Sequence, residues 1–198
     1  MRGRLILGFR HALNGPNGDP MITLTIIAAT FTVAGALLLG VAGIAHLSHL
    51  GRLRAVLNRQ RLFPAWSTKV VAVGLTVTEL GVAGLVVTTM VVGVPSIVVA
   101  ALAQAALFAA LAVYAGLLRW LAPGVACGCT SGDEPASFAV VASNAAIAVA
   151  SAGSAVLLNQ DNNGVNAATR AMIFAAAFAV AVVLPILRNG ARPLQEAR

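Results

Sequence analysis

Val70–Val92 reads VVAVGLTVTELGVAGLVVTTMVV, and this stretch decides the fold. A helix needs about 20 mostly apolar residues to cross the hydrocarbon core of a bilayer. The stretch supplies them with a single charge, Glu79, and stops where Gly93 and Pro95 break the pattern. Four further runs have the same character: 21–47, 96–118, 136–158 and 167–187, the last with Pro185 in its final turn. The expected architecture is therefore all-α, a polytopic membrane helix bundle of about five transmembrane helices. Residues 1–20 form a tail rich in turn chemistry, 21–187 the transmembrane domain, and 188–198 a basic C-terminal tail. Met21 is an alternative start.

Composition agrees. Hydrophobic residues make up 59% of the chain and charged residues 10%, where a soluble domain carries roughly 25% charged residues. Too little polar surface remains to coat a globule, so membrane lipid is the expected surroundings, in a multi-pass protein of the inner or plasma membrane. The net charge of +7 does not point to nucleic acid. The basic residues flank apolar runs, where topology determinants sit, and no basic-aromatic stripe is present. The runs are also rich in small residues, such as Gly40, Gly43, Gly81 and Gly84, and Ala101, Ala105 and Ala109. Small residues let helix backbones approach closely in lipid, so packing is their expected role.

Orientation follows from Lys and Arg. The stretch after the first run holds Arg52, Arg54, Arg59, Arg61 and Lys69, and the C-terminal tail holds Arg188, Arg192 and Arg198. With five spans these segments share a side with the loop after the third run, and the positive-inside rule places that side in the cytoplasm. Arg2, Arg4, Arg10 and Arg170 count against it. The basic stretch is also compatible with an amphipathic segment lying in the interface.

That loop contains the only two cysteines, Cys127-Gly128-Cys129. A disulfide across one residue is reachable but strained, and Gly128 supplies the backbone freedom it needs. A strained, exposed disulfide is readily reduced, which suits exchange rather than stapling. Two unpaired loop thiols are the plainer alternative. Glu79 lies roughly 15 Å inside its run at about 1.5 Å per residue, where a carboxyl group is expensive and a functional candidate by default. With Asn144 and Gln104 it makes a candidate polar, proton or quinone site, the alternative being an interhelical hydrogen bond from Glu79 to Gln104 or Asn144. His46 and His49, spaced i, i+3, have the spacing to join the cysteines in a zinc or copper site. Cys-x-Cys is not the Cys-x-x-Cys knuckle of structural zinc, so that reading ranks below exchange.

These residues resemble a known family. Gly43-Ile44-Ala45-His46-Leu47, Leu62-Phe63-Pro64, Thr78-Glu79-Leu80-Gly81 and Cys127-Gly128-Cys129 followed by Gly132 are similar to the methylamine utilisation protein MauE family, within the DoxX-like membrane proteins. The resemblance covers roughly Ala34 to Leu158. Thr130-Ser131 stand where the family has Phe, and Phe138 and Ser143-Asn144 where it has Trp and Arg-Asn. The resemblance implies a four-helix core plus a C-terminal helix. It further implies a role in maturation, export or disulfide formation of a methylamine dehydrogenase-type client beside a thioredoxin-like partner. Cys127 and Cys129 would be the redox pair and Glu79 the bundle carboxylate. Such partners work outside the cytoplasm, opposite to the charge count. Two other functions fit the residues: a non-enzymatic assembly or export factor, and a small metal or solute carrier using His46, His49 and the cysteines.

Overall fold

The computed structural model describes residues 20–92, 97–125, 127–128, 136–160 and 172–181. Cys129, Arg170 and both expected tails lie outside the described residues. The described elements are helices: α1 Pro20–Ser48, α2 Leu50–Gln60, α3 Thr68–Val92, α4 Ile97–Leu121, α5 Phe138–Gln160 and α6 Met172–Ala181. Four of them are long and apolar enough to cross a membrane, namely α1, α3, α4 and α5. Of the expected fifth span, the described part is α6, a shorter apolar helix. The rest of that run lies outside the described residues.

The four long helices form a ring in which α1 packs on α3, α3 on α4, α4 on α5 and α5 on α1. Their directions follow from which residues meet. Gly43 faces Leu80 and Gly40 faces Ala83, Ala36 clusters with Val86, and Val33 with Met90. Residue numbers fall along α1 as they rise along α3, so the two run antiparallel. Likewise Phe108 shares a cluster with Leu39 and Ile147, and Leu118 with Val140 and Ala136. The ring therefore alternates in direction. The end of α1, the start of α3, the end of α4 and the start of α5 all lie at one end. α6 packs Ile173 and Ala177 against Ala29, Val33 and Met90, toward the other end.

The outer faces carry exposed apolar side chains, among them Val41, Ile44, Val70, Val77, Val113 and Val149. In lipid these need no further cover. Trp66 and Trp120 are each 80% exposed. They lie in the turn before α3 and at the end of α4, where a membrane–water interface favours amphipathic rings. Hydroxyls within the spans are satisfied locally. Thr30, Thr32, Thr76, Thr78 and Thr89 each donate to the carbonyl four residues earlier.

Two expectations change. The small residues do not all serve packing: Gly43 meets Leu80 closely and Ala101 and Ala105 are buried, but Gly81 and Gly84 face open space and Ala109 is exposed. The basic stretch is not a plain loop. α2 buries Leu53, Val56, Leu57 and Gln60, a stripe at helical spacing, while Arg52, Arg54 and Arg59 are exposed. It lies across the bundle end against α1 and α3.

Candidate functional site

α4 stops where Pro123 and Gly124 turn the chain, Gly124 at φ 86°. Ala122 N–H donates to Leu118 O and Val125 N–H to Ala122 O, closing the turn. The chain then enters the bundle end instead of standing away from it. Cys127 is 3% exposed, clustered with Ala115, Leu118, Ala136 and Val140. Gly128 follows at φ 71°, a left-handed conformation that L side chains rarely adopt. A Cβ there would also stand 3.1 Å from Val56 on α2. Gly128 thus satisfies a backbone and a packing demand together.

Irregular backbone drawn into a membrane protein needs partners for its polar groups. Two buried side chains supply them. Gln60 Nε2 donates to the Cys127 carbonyl at 3.0 Å, and His46 Nε2 to the Gly128 carbonyl at 3.0 Å. Each is itself held. Tyr114 O–H donates to Gln60 Oε1, and the Tyr114 ring stacks on Phe63 with centroids 6.3 Å apart. His46 Nδ1 lies 2.8 Å from Glu79 Oε2, with both side chains buried. The two supports come from four helices: α1 and α3 under Gly128, α2 and α4 under Cys127.

Glu79 therefore has His46, not Gln104 or Asn144, as its hydrogen-bond partner. The physical reason is the antiparallel α1–α3 seam, in which Gly43 brings the α1 backbone against Leu80 and Glu79 Cβ and so sets the next turn's His46 beside the carboxylate. Gln104 belongs to a second network. Its Nε2 donates to Thr32 O at 2.7 Å and to Ser151 Oγ at 3.0 Å, and Thr32 and Ser154 hydroxyls pair at 2.9 Å. Glu79 and Gln104 thus sit in separate networks rather than one polar site. Asn144 is half-buried on α5.

His46 and His49 do not converge either. His49 stands at the break between α1 and α2 with φ −134° and is exposed, whereas His46 is buried. Their i, i+3 spacing presumed one continuous helix. Both ring nitrogens of His46 are engaged, and among the described residues no group of three or more His, Cys, Asp and Glu gathers. Glu79 is the sole acidic residue among the described residues, and the neighbouring cations Arg52, Arg54, Arg59, Arg61, Lys69 and Arg119 are all exposed. Gln60 and Tyr114 were not foreseen. The sequence does carry a signal for Gln60, a polar residue on the apolar stripe of α2.

Residues 24–159 match the model of the family described as Methylamine utilisation protein MauE, well over half of the chain. No curated protein matches the chain, and no solved structure does.

Proposed function

The chain belongs to the MauE family of methylamine utilisation proteins, and from that premise we propose that this multi-pass membrane protein exchanges thiol and disulfide equivalents through Cys127 and Cys129. The partner is a thioredoxin-like protein, and the exchange supports maturation of a client, methylamine dehydrogenase-type in the family. One observation carries this reading. The only cysteines of the chain lie on a segment whose backbone is held at Cys127 and Gly128 by buried polar side chains from four helices. These bonds fix the position of the segment that carries both cysteines, as an exchange site requires.

Cys127 is 3% exposed; in the proposed exchange the partner's sulfur meets Cys129 and Cys127 is the second sulfur of the pair. In the oxidised pair a thiolate of the partner attacks Cys129 Sγ. The Cys127–Cys129 bond breaks, a mixed disulfide forms between partner and Cys129, and Cys127 leaves as a thiolate that takes up a proton. The partner's second thiolate then attacks its own bridged sulfur and releases Cys129. Two electrons pass from the partner dithiol to the pair, and the reverse sequence returns them.

Thiol trapping in intact cells, followed by mass spectrometry of the peptide holding both cysteines, tests the proposal. Oxidised and reduced forms are expected to interconvert with the redox state of the cell. A pair that stays fully reduced under every condition overturns it. A Cys127→Ser, Cys129→Ser double variant that still matures the client assigns the protein to assembly or export instead.

A further inference from the structure

The hydrogens in the site can be counted. The Gly128 carbonyl only accepts, so His46 Nε2 at 3.0 Å carries a hydrogen. The 2.8 Å contact between His46 Nδ1 and Glu79 Oε2 holds one more hydrogen, on either atom. The pair thus contains two protons and no net charge, as imidazolium with carboxylate or as imidazole with carboxylic acid. Removing one proton leaves a carboxylate, which only accepts, facing Nδ1. The remaining hydrogen then moves to Nδ1, and Nε2 turns a lone pair toward the Gly128 oxygen. The bond to the loop exists only while the pair keeps both protons. A third proton, on Glu79, leaves Nε2–H in place, so acid does not open the contact.

We infer that His46 and Glu79 form a proton-operated latch on the Cys127–Gly128 segment, so that loss of one proton from the pair releases the Gly128 carbonyl and raises the exposure of the Cys127 sulfur. This rests on the reading of the cysteine loop as the reactive element. His46 and Glu79 act through the loop backbone and are positioning residues. Gln60, donating to the Cys127 carbonyl, is a hold that stays fixed, since an amide neither gains nor loses a proton in this range. The other titratable and charged groups on the surrounding elements are His49 between α1 and α2, Arg52, Arg54 and Arg59 on α2, Arg61 after it, Lys69 on α3, Tyr114 and Arg119 on α4, and Cys127 itself. The described residues of α5 add none. The cations and His49 are exposed and Tyr114 donates to Gln60, so no second carboxylate among the described residues competes for the His46 proton.

Alkylation of the purified, fully reduced protein in lipid nanodiscs tests the latch. Mass spectrometry gives the rate at Cys127 with Cys129 as internal reference, from mildly acidic to mildly alkaline pH. Glu79→Gln is the discriminating variant. Its amide donates to Nδ1 and keeps the hydrogen on Nε2 at every pH. Each rate is divided by the thiolate fraction measured in that variant by ultraviolet absorbance, so the quotient of the Cys127 rates reports the latch alone. That quotient is expected to rise about tenfold toward alkaline pH, the population change that one buried hydrogen bond produces. His46→Ala is expected to react fast at Cys127 throughout. A quotient that stays flat, a Cys127 in Glu79→Gln as fast as in His46→Ala, or a Cys127 in His46→Ala as slow as in wild type each overturns the latch. The assay uses reduced thiols without a partner, so its outcome is independent of whether the pair cycles in cells.

Discussion

His46 and Glu79 show how much one contact between side chains 33 residues apart can organise. Each alone is a liability in a membrane bundle, since an ionisable group in apolar surroundings needs a partner. Together they satisfy one another and leave a donor for the loop. Truncating one strands the other. His46→Leu or Glu79→Leu is expected to lower stability by about 3 kcal/mol or more, the usual cost of breaking a buried pair. The double variant His46→Leu, Glu79→Leu is expected to lose less than the sum of the two single losses, because neither side chain is left without its partner in the seam, while the Gly128 carbonyl loses its donor wherever His46 is replaced. Thermal unfolding in detergent micelles measures this. Additive losses would show that the two side chains are not coupled.

At the scale of elements, the seam between α1 and α3 sets that contact. A Cβ at Gly43 would stand 2.8 Å from Leu80 Cγ and 3.4 Å from Glu79 Cβ. Gly43→Val therefore forces the helices apart one turn from the pair. It is expected to destabilise by about 1–3 kcal/mol, as overpacking does, and to loosen the cysteine loop as well. Gly81→Ala, where nothing lies within 4 Å, is expected to leave stability within about 0.5 kcal/mol; melting curves of the two variants decide. This contrast marks how far sequence reasoning reaches. The spans of α1, α3, α4 and α5 were legible because hydropathy over 20 residues is set by lipid alone. Which glycine faces a neighbour depends on how each helix is rotated about its axis, and in runs apolar on every side no polar stripe records that rotation. The partner of Glu79 was hidden for the same reason. α2 was legible only as an alternative, an amphipathic segment in the interface, because its many arginines equally resemble a topology-setting loop. Cys127 is the residue the sequence singles out for chemistry, and its burial depends on a fold-back that Gly124 and Gly128 permit and do not announce.

At the scale of the whole molecule, the bundle is polarised along the membrane normal. Arg52, Arg54, Arg59, Arg61, Lys69 and Arg119 are exposed at the end that holds the cysteine loop, and the described residues at the opposite end carry no Lys or Arg. Trp66 and Trp120 lie at the cationic end too. α2 lies across the bundle end instead of crossing the membrane, so its arginines belong to one face. The positive-inside rule predicts that this face is cytoplasmic, with Arg2, Arg4, Arg10 and Arg170 counting against it. Asn58, exposed on α2, gives a direct test through Asn58→Cys in the Cys127→Ser, Cys129→Ser background. A membrane-impermeant maleimide is expected to leave it unlabelled in intact cells and to label it once the membrane is permeabilised. Labelling in intact cells would invert the bundle and set the cysteine loop outside, where the proposed thioredoxin-like partner would meet it. The result also constrains the latch, because each side of the membrane has its own pH. A cytoplasmic loop would sense the well-buffered interior, and the His46–Glu79 proton would then respond mainly to events at the loop itself. An outside loop would let the pH of the surroundings set how often Cys127 is exposed.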